Sequence, residues 1–387
     1  MERVKLSNFI KQLRGVSYKP EDIRNKSDEN AIPILRANNI TADGHIDLND
    51  IVYVDSKKVQ NEQLLRAGDI FICASSGSKN LVGKAVYIPT DMPYAFGAFC
   101  KVVRPISENI DKHYLAQFFQ SPSYRKKISD LAQGANINNI KNEHIDELDI
   151  AIYSLEEQKA IAEKLDKVSG LIEKRKTQLE KLDLLIKSRF IELFDNEEYE
   201  KVTVFSVLNT GFWLMPATPE FIVDGEVPYI TSKNIKSRTI DFDNVKYISR
   251  EAYQSISANR PTQKGDILVS MIGTLGQTAV IQDDREFYGQ NLYLLRLNSS
   301  IIDTTYFCEF FNSDAVQHEL QGKRNQSTQA YLKANHVEDL VLPLPPIGLQ
   351  QQFAAFVEQT DKSKFEIQKS LKKLEILKKS LMQQYFG

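Results

Sequence analysis

Along two stretches of the chain, apolar residues recur at alternating spacings of four and three. In the first, Ile161, Leu165, Val168, Ile172, Leu179, Leu182, Ile186 and Leu193 mark the series, with Arg175 and Arg189 filling two of its places. In the second, Phe353, Val357, Ile367, Leu371, Leu374, Leu381 and Tyr385 keep the same register, and Thr360, Lys364 and Lys378 stand on it. This spacing predicts two long helices, about Leu155 to Phe194 and Gly348 to Phe386, each with one narrow apolar strip among many Lys and Glu. So narrow a strip suits the pairing of two helices in a coiled coil better than burial against a broad core. Cations on the seam cost stability, so they fix register or point to a further partner.

Outside these stretches the pattern changes to short apolar runs broken by turn signals. Ile51–Val54, Asp69–Ile72 and Ala85–Ile88 read as strands, as do Asp266–Val269 and Leu292–Leu295. Helical stretches follow around 111–131 and 303–321. The two halves are copies of one pattern. Asp111, Tyr114, Phe118, Phe119 and Ser121 recur 192 residues later as Asp303, Tyr306, Phe310, Phe311 and Ser313, and His144 and Leu148 recur as His336 and Leu340. Between 179–194 and 371–386, seven of sixteen positions are identical. Upstream, Ile32-Pro33-Ile34 with Asn39-Ile40 answers Val227-Pro228-Tyr229 with Asn234-Ile235, Gly68-Asp69-Ile70 answers Gly265-Asp266-Ile267, and Phe96-Gly97 answers Tyr288-Gly289. The offset falls from 197 to 192 between the last two pairs, which places an insertion in the first copy.

The expected fold is α+β: β-rich α/β domains over 1–153 and 196–346, and spacer helices over 154–195 and 347–387. The first helix runs directly into the second domain, and the second ends the chain. Pairing the seams therefore requires the helices to run antiparallel, with one domain at each end and an approximate two-fold axis between them. Forty residues at 1.5 Å each make a spacer of roughly 60 Å.

Composition narrows the class only a little. A length of 387 residues, 42% hydrophobic and 26% charged, fits a soluble protein of two or three domains. No apolar run is long enough to cross a membrane, and the charged N-terminus has no apolar stretch behind it. Cys73, Cys100 and Cys308 are odd in number and widely spaced, so neither a disulfide framework nor a zinc site is expected, and a cytoplasmic setting is. The net charge of −2 is neutral on nucleic acid, because phosphate binding needs only a local basic face.

Catalytic machinery is not legible. The chain has neither a Gly-x-x-x-x-Gly-Lys phosphate loop nor a dinucleotide-binding Gly-x-Gly-x-x-Gly, and Gly273-Thr274-Leu275-Gly276 reads as a hairpin turn. There is no Asn-Pro-Pro-Tyr-like motif for a flipped base and no nuclease-like carboxylate–lysine cluster. His45, His113, His144, His318 and His336 have no metal-ligand spacing, and His144 and His336 read as structural hydrogen-bonders where domain meets helix. No catalytic or metal residue is assigned.

Leu342-Pro343-Leu344-Pro345-Pro346-Ile347-Gly348-Leu349-Gln350-Gln351 resembles the segment that opens the helices of Type I restriction–modification specificity subunits. The first copy, Ile150 to Gln158, keeps the apolar alternation and the glutamine but lacks the prolines. The order of parts (recognition domain, helix, recognition domain, helix) is similar to that family over essentially the whole chain. The resemblance implies a non-catalytic subunit that binds double-stranded DNA at an asymmetric, bipartite target. Two modification subunits would methylate adenine with S-adenosylmethionine, and restriction subunits using ATP and Mg would translocate and cleave. No cofactor is then expected on this chain, and no membrane partner.

Loops rich in Arg, Lys, Asn and Gln beside the repeated blocks are the candidates for DNA contact, since these side chains read base edges and neutralise phosphates. In the first copy they are Arg36, Asn38 and Asn39; Lys79 and Asn80; and Asn136, Asn138, Asn139 and Lys141. In the second they are Ser232, Lys233, Asn234, Lys236 and Arg238; Gln277; and Lys323, Arg324, Asn325, Gln326, Ser327 and Gln329. The other class open to the chain is a coiled-coil adaptor whose β-rich ends bind proteins or glycans.

Overall fold

The computed structural model describes residues 2–41, 44–78, 81–132, 138–195, 198–214, 216, 218–223, 225–236, 238–323 and 330–387. The chain divides into two compact units, Met1–Lys176 with Lys369–Gly387, and Thr177–Gln368. Among the described residues the helices are α1 (Lys112–Gln120), α2 (Pro122–Leu131), α3 (Asn142–Asp146), α4 (Leu155–Phe194), α5 (Arg250–Ser257), α6 (Thr304–Phe311), α7 (Asp314–Gly322), α8 (Ala334–Glu338) and α9 (Ile347–Phe386).

In the first unit an antiparallel sheet runs in the order Ile10–Arg14, Cys100–Pro105, Ile70–Cys73, Ala85–Tyr87. The second unit repeats it as Leu208–Leu214, Leu292–Leu297, Ile267–Ser270, Thr278–Val280. In a second sheet Ala31–Leu35 pairs in parallel with Ala95–Phe96, as Val227–Ile230 does with Tyr288–Gly289. Phe96 and Tyr288 are therefore core aromatics. Each domain ties its two ends together: Val4 sits opposite Ile150 on an antiparallel strand pair, and Val202 sits opposite Leu342.

The repeated residues have structural causes. Gly68 and Gly265 adopt φ of 95° and 89°, a left-handed turn that glycine enters without strain. The aspartate after each is buried. Asp69 accepts both Nε and Nη2 of Arg104 at 2.7 Å and the Arg66 amide at 2.8 Å. Asp266 does the same with Arg296 at 2.7 and 2.8 Å and with the Gln263 amide at 2.7 Å. Asp111 and Asp303 cap α1 and α6, and Ser121 and Ser313 cap α2 and α7, each side chain accepting an otherwise orphaned amide of the first turn. These caps break the two helical stretches read from sequence into pairs. The free thiols Cys73 and Cys100 prove to be buried opposite one another on adjacent strands.

Both long helices span 40 residues, and burial along them follows the four–three spacing. In the first unit Ile161, Leu165, Val168 and Ile172 share a core with Leu381, Met382 and Phe386, against which Leu371 and Leu374 pack. In the second, Ile186 and Phe194 share a core with Phe353 and Val357. Leu179, Leu182 and Ile367 are half-buried. Asp183 accepts from Lys364 at 2.6 Å, while eleven residues further along α4 Phe194 meets Phe353, eleven residues back along α9, at 5.3 Å. Within that unit the helices therefore run in opposite directions. Three of the seam polar groups, all in the second unit, are satisfied: Lys364 by Asp183, Thr360 by donating to the Phe356 carbonyl at 2.9 Å, and Arg189 by Glu192 at 2.7 Å.

The unit boundaries cut both helices instead of separating them as segments of their own. The cause is packing. Phe386 packs on Tyr114 and Phe118 at centroid distances of 5.1 and 6.0 Å, and Phe194 packs on Tyr306 at 4.6 Å, so helix ends merge with domain cores. Gln158 and Gln350, fully buried, complete the junctions. Gln158 accepts the Asp111 amide at 2.8 Å and donates to the Asn109 and Tyr153 carbonyls at 3.1 and 2.9 Å. Gln350 accepts the Asp303 amide at 2.9 Å and donates to Ile301 and Pro345 at 3.2 and 2.8 Å.

Candidate nucleic-acid interface

The chain leaves the strand Ala31–Leu35 through a short turn, Ala37–Asn39, built around Asn39. Its Oδ1 accepts the Arg36 amide at 2.7 Å, and its Nδ2 donates to the Asp47 and Asp50 carbonyls at 2.8 and 3.1 Å. Asn39 is 1% exposed and fully used, so it shapes the loop. Asn234 does the same in the second unit, accepting the Thr231 amide and donating to the Asp241 carbonyl, both at 3.0 Å. The repeated Asn-Ile pair is thus scaffold, and the neighbours it presents are the candidates for DNA contact.

In the first unit those neighbours are Arg36 and Asn38, both bonded to the exposed carboxylate of Asp50, at 2.6 and 2.7 Å. Together they offer donors and an acceptor of the kinds that read base edges. Ser75–Ser76 pairs antiparallel with Asn138–Asn139 of the third candidate loop. Asn138 is buried and Asn139 exposed, and Lys141 pairs with Glu143 at 3.2 Å. Arg36, Asn38, Ser75 and Phe99 line one cavity of about 640 Å³. Lys79, Asn80 and Asn136 lie outside the described residues.

In the second unit Ser232 is buried and Lys233 exposed on the turn that Asn234 holds. Lys236 is paired with Asp241 at 2.5 Å. Arg238, in the left-handed region at φ 69°, is drawn toward the helices: it bonds Glu309 on α6 and lies 3.6 Å from Asp361 on α9. Burial pushes the Glu309 carboxyl above its ordinary range, against the pull of Arg238. Arg238 and Gln277 line one cavity, of about 910 Å³, with Asp183, Phe190 and Lys364. Arg238 and Gln277 therefore share a place with the helices, apart from the Lys233 turn. Lys323 pairs with Glu319 at 2.6 Å, and Arg324, Asn325, Gln326, Ser327 and Gln329 lie outside the described residues.

His144 and His336 each accept, through Nδ1 at 3.4 Å, the amide at the start of their own short helix. Burial lowers both below the usual histidine range, which suits a neutral acceptor. Among the described residues no group of three His, Cys, Asp or Glu could hold a metal ion, and no helix is long and apolar enough to cross a membrane.

Residue type and repetition did not single out Asp50 or Phe99. The signal available for Phe99 was its place two residues after the repeated Phe96-Gly97.

Duplicated recognition domains, each with divergent polar loops on a shared framework and joined by paired helices, define a class of DNA-specificity protein. The family model for the Type I restriction modification DNA specificity domain matches residues 1–182 and again 196–378, and the chain belongs to this family. It is a sequence-specificity subunit of a Type I restriction–modification system. It is similar to the EcoKI specificity subunit of Escherichia coli, 29% identical over 379 residues that cover 92% of this chain and 80% of that one. The StySPI specificity subunit of Salmonella potsdam is 42% identical over 182 residues, 47% of this chain and 39% of that one. The S subunit of the Type I system from M. genitalium shares the fold, with a TM-score of 0.59 at 14% identity over 100% of this chain and 96% of that one. A chain from a structure describing complex assembly and conformational transition of the type I R-M system does so at 0.56 and 15% identity, over 99% of each.

Proposed function

We propose that this chain reads an asymmetric target of two short blocks, one for each recognition domain, separated by unread base pairs. It directs two modification subunits to methylate adenine there, and restriction subunits to cleave. S-adenosylmethionine, ATP and Mg belong to those partners, this chain is non-catalytic, and the complex works in the cytoplasm on double-stranded DNA. The observation that carries the reading is the contrast between frame and loops. Asn39 and Asn234 hold equivalent turns, yet those turns present Arg36-Ala37-Asn38 in one domain and Thr231-Ser232-Lys233 in the other. Equal frames with unlike readers suit two unlike half-sites. Leu184 and Ile191 on α4 and Phe365 and Ile376 on α9 remain exposed off the seam, as docking of partner subunits on the helices requires.

Duplex binding by the chain assembled with its modification partner tests this. Log affinity is expected to fall with log salt, because phosphate contacts release counterions. The purified chain given S-adenosylmethionine and DNA is expected to transfer nothing. Salt-independent binding, or methyl transfer by the chain alone, would refute the reading.

A further inference from the structure

Phe99 is 69% exposed, yet its backbone is tied into the first domain by hydrogen bonds. Its carbonyl accepts the amides of Ala74 at 2.9 Å and Ser75 at 3.0 Å. The turn that carries it is closed by the Cys100 amide on the Gly97 carbonyl at 2.8 Å, and Gly97 in turn donates to the Leu35 carbonyl at 2.9 Å. A rigid turn thus holds an apolar ring toward solvent, on the rim of the cavity shared with Arg36, Asn38 and Ser75.

The second domain offers a comparison at the equivalent position. Counting from the repeated aromatic-Gly pair, the residue equivalent to Phe99 is Asn291. Its carbonyl accepts the Met271 amide at 3.2 Å, as that of Phe99 accepts Ala74. The place in the frame is kept but the turn is not: Asn291 adopts a left-handed φ of 63° and is half-buried, so an amide on a differently shaped turn stands where the first domain exposes an aromatic ring.

We propose that Phe99 is a specificity-determining residue whose ring packs on the 5-methyl group of a thymine in the major groove of the half-site read by the first domain. This rests on the bipartite reading above. A phenyl ring has no charge for phosphate and no donor for base acceptors. The apolar feature a base edge offers it in the major groove is the thymine methyl, which every A·T pair carries and no G·C pair does. Burying one methyl contributes about fourfold in affinity.

The test uses the full chain with its modification partner. Methylated motifs are mapped in cells carrying the wild type, Phe99→Ala or Phe99→Leu. With alanine, one position in one block is expected to relax, and that position is an A·T pair; the other block and the gap stay unchanged. Leucine, still apolar, preserves the motif, and thermal melting of both variants matches the wild type. On duplexes with deoxyuridine replacing that thymine, the wild-type complex loses about fourfold in affinity and the alanine variant loses nothing further. The proposal is overturned by an unchanged motif, a relaxed G·C position, relaxation in both blocks, or a wild type indifferent to deoxyuridine, as a ring wedged between base steps would be. A wild-type complex that methylates no two-block motif brings down the broader reading, and this one with it.

Discussion

Replacing Gln350 by alanine is expected to destabilise the second unit far more than an ordinary polar-to-alanine change on a helix. Its side chain is fully buried and makes three hydrogen bonds: one accepted from the Asp303 amide and two donated to the Ile301 and Pro345 carbonyls. Truncation leaves one amide and two carbonyls without that partner. Each orphaned group costs about 1–3 kcal/mol, and a water entering the gap restores part of this, so the expected loss is about 3–5 kcal/mol. Against a stability of about 5–15 kcal/mol for a typical domain, that is a large fraction. Urea unfolding followed by fluorescence of the single tryptophan, Trp213, reads the second unit directly. The midpoint should fall with the slope unchanged. Gln350→Glu at neutral pH should be at least as damaging, since it turns a carboxylate toward two carbonyls. Burial there would raise the new carboxyl above its unfolded value of about 4.3. Its protonated form restores a donor, so the deficit should shrink on acidification and grow as pH rises through the raised value. A loss below about 1 kcal/mol for Gln350→Ala would refute the claim that this amide joins domain to helix.

Three further outcomes are expected. Removing Asp266 alone leaves the Arg296 guanidinium largely buried without its carboxylate and should cost about 3–5 kcal/mol, while replacing both by leucine and methionine should recover most of it, measured by the same unfolding assay. Lys378, half-buried on the seam with its ammonium pushed below the usual lysine range chiefly by burial, occupies the position that Ile186 fills in the repeat; Lys378→Ile should raise first-unit stability by about 1 kcal/mol in thermal melts, and no gain would contradict the seam. Because burial holds His144 and His336 below their unfolded value of about 6.5, their contribution is complete above that pH and is lost as pH falls from there toward the lowered folded values; a His144→Ala/His336→Ala double variant should show a flatter pH dependence of stability in that window.

The seam was legible because its four–three spacing is a local pattern, and burial along α4 and α9 follows it. The duplication was legible for the same reason, as were Gly68-Asp69-Ile70 and its copy, although their cause, a buried aspartate bonded to an arginine on a neighbouring strand, was not. The break between α1 and α2 is signalled by Ser121-Pro122, but the break between α6 and α7 depends on Ser313 alone. Residue type could not separate Asn39 from Asn38, since an amide that closes a turn and one that meets solvent look alike in sequence; only the three hydrogen bonds of Asn39 distinguish them. Arg238 was read as a loop cation because Glu309, the carboxylate that engages it, lies 71 residues away. Phe99 was hidden by its likeness to the buried Phe96 three positions earlier.

Mapping adenine methylation across the host genome by single-molecule sequencing, with this chain present and deleted, tests the central claim most directly. Two unlike blocks at one constant separation, methylated only when the chain is present, are the result the account predicts. A single contiguous site, or methylation that persists without the chain, would contradict it.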